Sequence, residues 1–253
     1  MLRHRVIPSL LIRNEGLVKT TQFAKSSYVG DPINAVKIFN EKEVDELIVL
    51  DIDATRDGRT PNFALAEELA DECFMPLCWG GGIRSVEDAK TLFSLGIEKV
   101  AIRSAAIDNP AILRAIADRA GEQAVVASID VKKSFFGGTH LVNGTGAKDK
   151  RSWQEAMKAA VAHGAGEILL MSVDHDGMRS GMNLDLIREA SALVDVPLIA
   201  GGGIGKAEHI KDAVDAGADA VAAGAWCVWQ GPQKAVLITY PRYEELTALW
   251  DWL

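Results

Sequence analysis

Two glycine triplets, Gly80-Gly81-Gly82 and Gly201-Gly202-Gly203, stand 121 residues apart, and that single offset aligns the two halves of the chain without a gap. At this offset Glu46 meets Glu167, Asp53 meets Asp174, Pro76-Leu77 meets Pro197-Leu198, and Ile83 meets Ile204. Glu87 meets Glu208, Lys90 meets Lys211, Gly96 meets Gly217, and Val100-Ala101 meets Val221-Ala222. The period is about half of the 253 residues, too long for a solenoid and right for one barrel made of two similar halves.

Within each half, short apolar runs alternate with segments of helical period. The expected strands are Arg5 to Leu11, Glu46 to Ile52, Pro76 to Trp79, Lys99 to Ile102, Val125 to Asp130, Glu167 to Val173, Pro197 to Ala200 and Ala220 to Ala223. A helix is expected over Ser85 to Leu95, where Ser85 and Asp88 form a capping-box-like start and Gly96 a stop. Its counterpart is Lys206 to Ala216, stopped by Gly217. Strand then helix, eight times, with short connections, predicts an α/β fold: a single (β/α)8 TIM-barrel domain over residues 1–253. Two longer irregular pieces are expected, Arg13 to Asp31 and Lys132 to Arg151.

A hydrophobic share of 48% supports one large core, and a net charge of −8 argues against a nucleic-acid-binding surface while leaving local phosphate sites open. Cys73, Cys78 and Cys227 are odd in number and lack metal-type spacing, and the start of the chain has no signal-like apolar run. The expectation is a reduced, cytoplasmic, enzyme-like protein without a membrane span, metal or cofactor.

Active sites of such barrels sit at the C-terminal rim of the strands. The rim loops at Gly80 to Gly82, Arg103-Ser104, Asp176-Gly177, Gly201 to Gly203 and Gly224-Ala225 let the backbone approach a ligand beside helix starts, which suits phosphate. A lone triplet could merely permit a tight turn; its duplication favours two phosphate sites facing each other. Asp130 ends the fifth strand and is a candidate acid/base, and Asp51, Asp53, Asp174 and Asp176 end the second and sixth. For Asp174 and Asp176 a role as caps or loop hydrogen-bond acceptors is an equal alternative, and His175 reads as an exposed loop histidine. At the opposite end Arg5, Glu46, Lys99 and Glu167 open strands and can converge, either as a structural salt ring or as a gated polar entrance.

The segments Val6-Ile7-Pro8, Gly30-Asp31-Pro32, Asp45-Glu46-Leu47, Gly80 to Ala89, Gly164 to Leu170 and Asp176-Gly177 closely resemble the HisF family, the cyclase subunit of imidazole glycerol phosphate synthase, from Met1 to about Trp226. The resemblance implies a HisH-like glutaminase at the barrel floor and ammonia entering through the gate Arg5, Glu46, Lys99 and Glu167. It implies catalysis by Asp130 with Lys19 on a flexible loop, and a phosphorylated small molecule held at Gly82, Ser104, Gly177, Gly203, Gly224 and Ala225. The chain departs from the pattern at Leu11, where the family has its first catalytic aspartate, and at Arg103 and Ala225, where it has asparagine and serine. Residues Trp229 to Pro241 are also foreign to the histidine-pathway enzyme, and Asp53 stands where that enzyme tends to have threonine. These departures resemble a branch associated with acetamidino modification of surface-polysaccharide sugars, in which ammonia passes to a separate amidotransferase-like enzyme. Alternatives are an ordinary histidine-pathway cyclase, a non-catalytic ammonia conductor that activates a glutaminase, and a phosphosugar isomerase, the last of which also needs the missing aspartate.

Overall fold

The computed structural model describes residues 4–135, 137–144 and 146–250. The ends of the expected domain, residues 1–3 and 251–253, and residues 136 and 145 of the expected loop after the fifth strand lie outside the described residues. The first half of the chain contains β1 (Arg5–Arg13), β2 (Gly16–Thr21), β3 (Lys25–Gly30), α1 (Pro32–Glu41), β4 (Leu47–Asp51), α2 (Phe63–Glu72), β5 (Leu77–Gly80), α3 (Val86–Ser94), β6 (Lys99–Ile102), α4 (Ser104–Asp108) and α5 (Ala111–Ala120). The second contains β7 (Val125–Lys133), β8 (Thr139–Leu141), α6 (Trp153–Ala162), β9 (Glu167–Ser172), α7 (Leu184–Ser191), β10 (Leu198–Gly201), α8 (Glu208–Asp215), β11 (Ala220–Ala223), β12 (Trp229–Gln230), β13 (Ala235–Val236) and α9 (Tyr243–Thr247).

Strands β1, β4, β5, β6, β7, β9, β10 and β11 pair in parallel in that order, and β11 returns to β1 with Arg5 opposite Ala220 and Pro8 opposite Ala223. The closed sheet is a (β/α)8 barrel. Its interior is a separate apolar cluster that includes Ile7, Ile48, Ile199, Cys78, Ala101 and Ala220, while a larger cluster fills the space between sheet and helices. Burial pushes the Cys78 thiol well above its ordinary pKa, so it behaves as one more apolar group.

The repeat is geometric as well as sequential. Gly81 and Gly202 both have positive φ, +101° and +93°, and a Cβ on either would strike a backbone carbonyl, that of Asp51 or of Ser172. Those two carbonyls are themselves related by the same 121-residue offset. The capping box at Ser85 forms as expected: its hydroxyl accepts from the Asp88 amide at 3.1 Å and the Asp88 carboxylate accepts from the Ser85 amide at 2.9 Å. Its partner helix α8 has Ala207 at the capping position and so no side-chain cap.

Three expectations are corrected. Strands β5 and β10 begin after their prolines and run onto the first glycine of each triplet, because proline has no amide hydrogen to give a ladder. Glu46 accordingly stands just before β4 rather than inside it. Of the two pieces expected to be irregular, Arg13 to Asp31 is largely strand, since β1 turns through Asn14 and Glu15 into β2 and Gln22 and Phe23 turn β2 into β3, whereas the described residues of Lys132 to Arg151 stay irregular apart from the end of β7 and the short β8 paired with it. All four turn residues have positive φ, the hand that matches strand twist, yet none is the glycine that normally signals it.

After β11 the chain forms the β12–β13 hairpin and then returns along the barrel to its floor. The Leu237 amide donates to Val228 at 2.9 Å and the Thr239 amide to Cys227 at 2.8 Å. The buried Tyr240 hydroxyl then reaches the Val6 carbonyl at 2.9 Å and the Asp45 carboxylate at 3.1 Å. Asp45 in turn accepts the Val6 amide at 3.0 Å.

Candidate functional site

The four charges at the floor close into a ring. Arg5 contacts Glu46 at 2.6 Å and Glu167 at 2.9 Å, and Lys99 contacts the same two carboxylates at 2.9 and 3.0 Å. Both glutamates are buried, so each cation is shared between two carboxylates and each carboxylate between two cations. Burial alone would lower the Arg5 pKa, but Glu167 and Glu46 raise it further, which keeps the guanidinium charged. The ring seals the bottom of the apolar interior cluster, whose residues offer no partner to an ion.

At the top of that interior, Leu50 and Met171 pack on the apolar cluster from opposite halves, 121 residues apart in sequence. Each lies so close to a triplet glycine, Gly80 or Gly201, that a Cβ there would overlap it. Both side chains form the bottom of an open pocket at the mouth, which is lined by residues from both halves.

The first half of the mouth is crowded with ion pairs. The Arg103 guanidinium binds the buried Asp130 carboxylate and donates to the Gly144 carbonyl at 3.4 Å. Arg59 pairs with Asp51 at 3.0 Å, while Asp53 receives Arg13 at 2.7 Å and Arg56 at 3.2 Å. The Gly82 amide donates to the Thr55 hydroxyl at 3.2 Å. The Ser104 hydroxyl oxygen is buried without a hydrogen-bond partner among the described residues, and Gly144 lies so close to it that a Cβ on Gly144 would overlap it. Leu11 lines the pocket near the end of β1.

The second half is differently furnished. Lys19, expected on a flexible loop, is in strand β2 and fully buried, and its ammonium donates to the Ser9 carbonyl. Burial lowers its pKa to about 8, with Asp176 and Cys227 opposing the shift. Gly224 is beside it: a Cβ at Gly224 would be 3.3 Å from the Lys19 nitrogen. Gly177, Gly203 and Ala225 line the same pocket. Asp176 accepts from the Thr20 hydroxyl at 2.6 Å and the Phe23 amide at 3.2 Å, and Asp174 accepts from the Lys133 amide at 2.6 Å, so both act as loop acceptors. His175 is half-buried rather than exposed, its ring nitrogen 2.8 Å from the Ser172 hydroxyl, because the loop after β9 folds back on its own strand.

Every expected site residue therefore lies either at the floor or at the mouth. Arg13, Thr55, Gly144 and Tyr240 were missed. Thr55 alone had a usable signal, since the repeat offset places it opposite Asp176. Among the described residues no three His, Cys, Asp or Glu side chains gather as metal ligands, and no helix is long and apolar enough to cross a membrane.

A family model described as "Histidine biosynthesis protein" matches residues 5–228. The imidazole glycerol phosphate synthase subunit hisF2 of Pseudomonas aeruginosa, a provisional name, is 49% identical over 251 residues, covering 97% of this chain and 99% of that protein. The likewise provisionally named hisF3 of Vibrio vulnificus is 48% identical over 97% of this chain and 95% of its own length. The imidazole glycerol phosphate synthase subunit HisF of Streptococcus sanguinis is 41% identical over 84% of each chain.

Proposed function

The chain belongs to the HisF family of imidazole glycerol phosphate synthase subunits, and on that premise we propose that it receives ammonia from a HisH-like glutaminase docked at the barrel floor and passes it to the mouth. The observation that carries this reading is the closed ring of Arg5, Glu46, Lys99 and Glu167 beneath an apolar interior. An apolar interior rejects ammonium but admits neutral ammonia, so a polar ring at its entrance is where the proton would be left behind.

At the mouth the ammonia supports acetamidino modification of a sugar in lipopolysaccharide synthesis, through a separate amidotransferase-like enzyme, rather than closure of an imidazole ring. Leu11 has no proton to transfer, and Asp130 is held by Arg103. The phosphorylated ligand is held by the rim at Gly177, Gly203, Gly224 and Ala225 with Lys19 beside it, and on the other side the family pattern puts Gly82 and Ser104. In this reading the protein works as a single-domain cytoplasmic barrel. The histidine-pathway cyclase is the second reading, favoured by Asp130 and Lys19 both lining the mouth.

Complementation of a cyclase-deficient histidine auxotroph tests the choice: delivery predicts no growth without histidine, and growth would promote the cyclase reading. Copurification with a class I glutaminase tests the floor. Loss of that association on disrupting the ring is the expected result, and a glutaminase that ignores the ring would reduce it to a structural feature.

A further inference from the structure

The repeat makes the two sides of the mouth comparable position by position, and three of the differences bear directly on an anion. At the 121-residue offset Thr55 stands opposite Asp176, Arg103 opposite Gly224 and Ser104 opposite Ala225. In the first half Thr55 takes the Gly82 amide, Arg103 crosses to Asp130 and Gly144, and Gly144 covers the Ser104 hydroxyl. In the second half the Asp176 carboxylate is committed to Thr20 and Phe23, residue 224 has no side chain, and the nearest group is a buried ammonium resting on a neutral carbonyl.

We infer that Arg103 decides which ligands the mouth accepts: it closes the first-half cradle, so the pocket takes a small molecule carrying one phosphoryl group, held in the second half. This rests on reading the mouth as a phosphate site. A phosphate dianion entering the first half would have to draw Arg103 off Asp130, leaving a carboxylate 2% exposed, unpaired and beside a second anion. In the second half the same dianion meets the Lys19 ammonium, which rests on the neutral Ser9 carbonyl and among the described residues enters no ion pair. A bis-phosphorylated ligand therefore has a place for one end only.

Isothermal titration calorimetry of the full chain tests this with inorganic phosphate, fructose 6-phosphate and fructose 1,6-bisphosphate. The wild-type protein should bind one inorganic phosphate and gain less than about threefold in affinity from the second phosphoryl group of the bisphosphate. Arg103→Asn should bind two phosphates and prefer the bisphosphate by at least about tenfold, and Arg103→Lys, which keeps a cation for Asp130, should follow the wild type. Two phosphates bound by the wild-type protein, or a tenfold loss of the first phosphate in Arg103→Asn, would overturn the inference; the latter would make Arg103 a phosphate ligand itself. The wild-type stoichiometry decides even if a variant does not fold. Two phosphates together with failed complementation would sink this inference and spare the delivery reading, whereas one phosphate with growth of the auxotroph would do the reverse. Binding of none of the probes would overturn it along with the phosphate reading of the mouth, leaving the floor untouched.

Discussion

Floor and mouth both gather charged side chains at the two ends of one barrel, but they handle them in opposite ways. At the floor four groups of alternating sign share one another, and the ring is complete without any ligand. At the mouth arginines are tied to aspartates instead, Arg103 to Asp130, Arg59 to Asp51 and both Arg13 and Arg56 to Asp53, with Leu11 in the same pocket. A group in an ion pair is a poor general base, since taking up a proton costs it the pair. The contrast teaches that one barrel can hold at one end a charge ring complete in itself and at the other arginine–aspartate contacts around an open pocket.

The largest expected effect would restore what the mouth lacks. Loss of a general acid or base typically costs on the order of 10² to 10⁴ in rate, so the wild-type protein given the histidine-pathway substrate and ammonium salt should run at that small fraction of an ordinary cyclase. Leu11→Asp should raise turnover only partly because Asp130 stays paired. The double variant Leu11→Asp/Arg103→Asn should exceed the product of the two single effects, as steady-state assays of the four proteins would reveal. Independent effects would mean the pair does not restrain Asp130.

The next test breaks the floor. Glu46→Ala leaves Arg5 and Lys99 with Glu167 alone, and removing one partner of a buried pair costs about 3–5 kcal/mol, measurable by urea unfolding. Lys99→Met should be milder in stability but should let glutamine hydrolysis outrun ammonia appearing at the mouth. Tight coupling in that variant would leave the ring a structural feature only.

Lys19 sharpens the comparison through pH. Its pKa is lowered to about 8 by burial, so it is charged below that and neutral above. Phosphate affinity should therefore decline as pH rises through about 8, read by calorimetry between about pH 7.5 and about pH 9.5, where the phosphate stays a dianion. Stability runs the other way. The unfolded lysine, with the ordinary value of 10.5, binds more protons than the native one between about 8 and 10.5, so this residue's contribution improves as pH rises across that window. The smallest effect is Ser85→Ala, which removes the cap that α3 has and α8 lacks; about 1 kcal/mol should be lost by thermal or urea unfolding, with the mouth unchanged.

The barrel was legible because its causes are local. Apolar runs, a serine three residues before an aspartate and a duplicated triplet each act within a few residues, and the floor charges declare themselves by standing where strands begin. The hairpins were hidden because Asn14, Glu15, Gln22 and Phe23 adopt positive φ without a glycine to advertise it. The state of the mouth was hidden for another reason. Arg103 could be seen to be unusual, but its destinations lie 27 and 41 residues away, and it takes the pairing of β6 with β7 to bring Asp130 beside it.

The tyrosine near the end of the chain has a consequence for how the barrel assembles. The β1–β11 seam joins residues as distant as Arg5 and Ala220, the last pairing a sequentially growing sheet can make and the one that must overcome the most loop-closure entropy. Tyr240 fastens the segment after β11 to Val6 on β1 and to Asp45 just before β4. It acts as a clasp: the chain that leaves the last strand of the barrel is tied back by a buried hydroxyl to the first, so the two ends of the sheet are held together by a side chain as well as by backbone pairing.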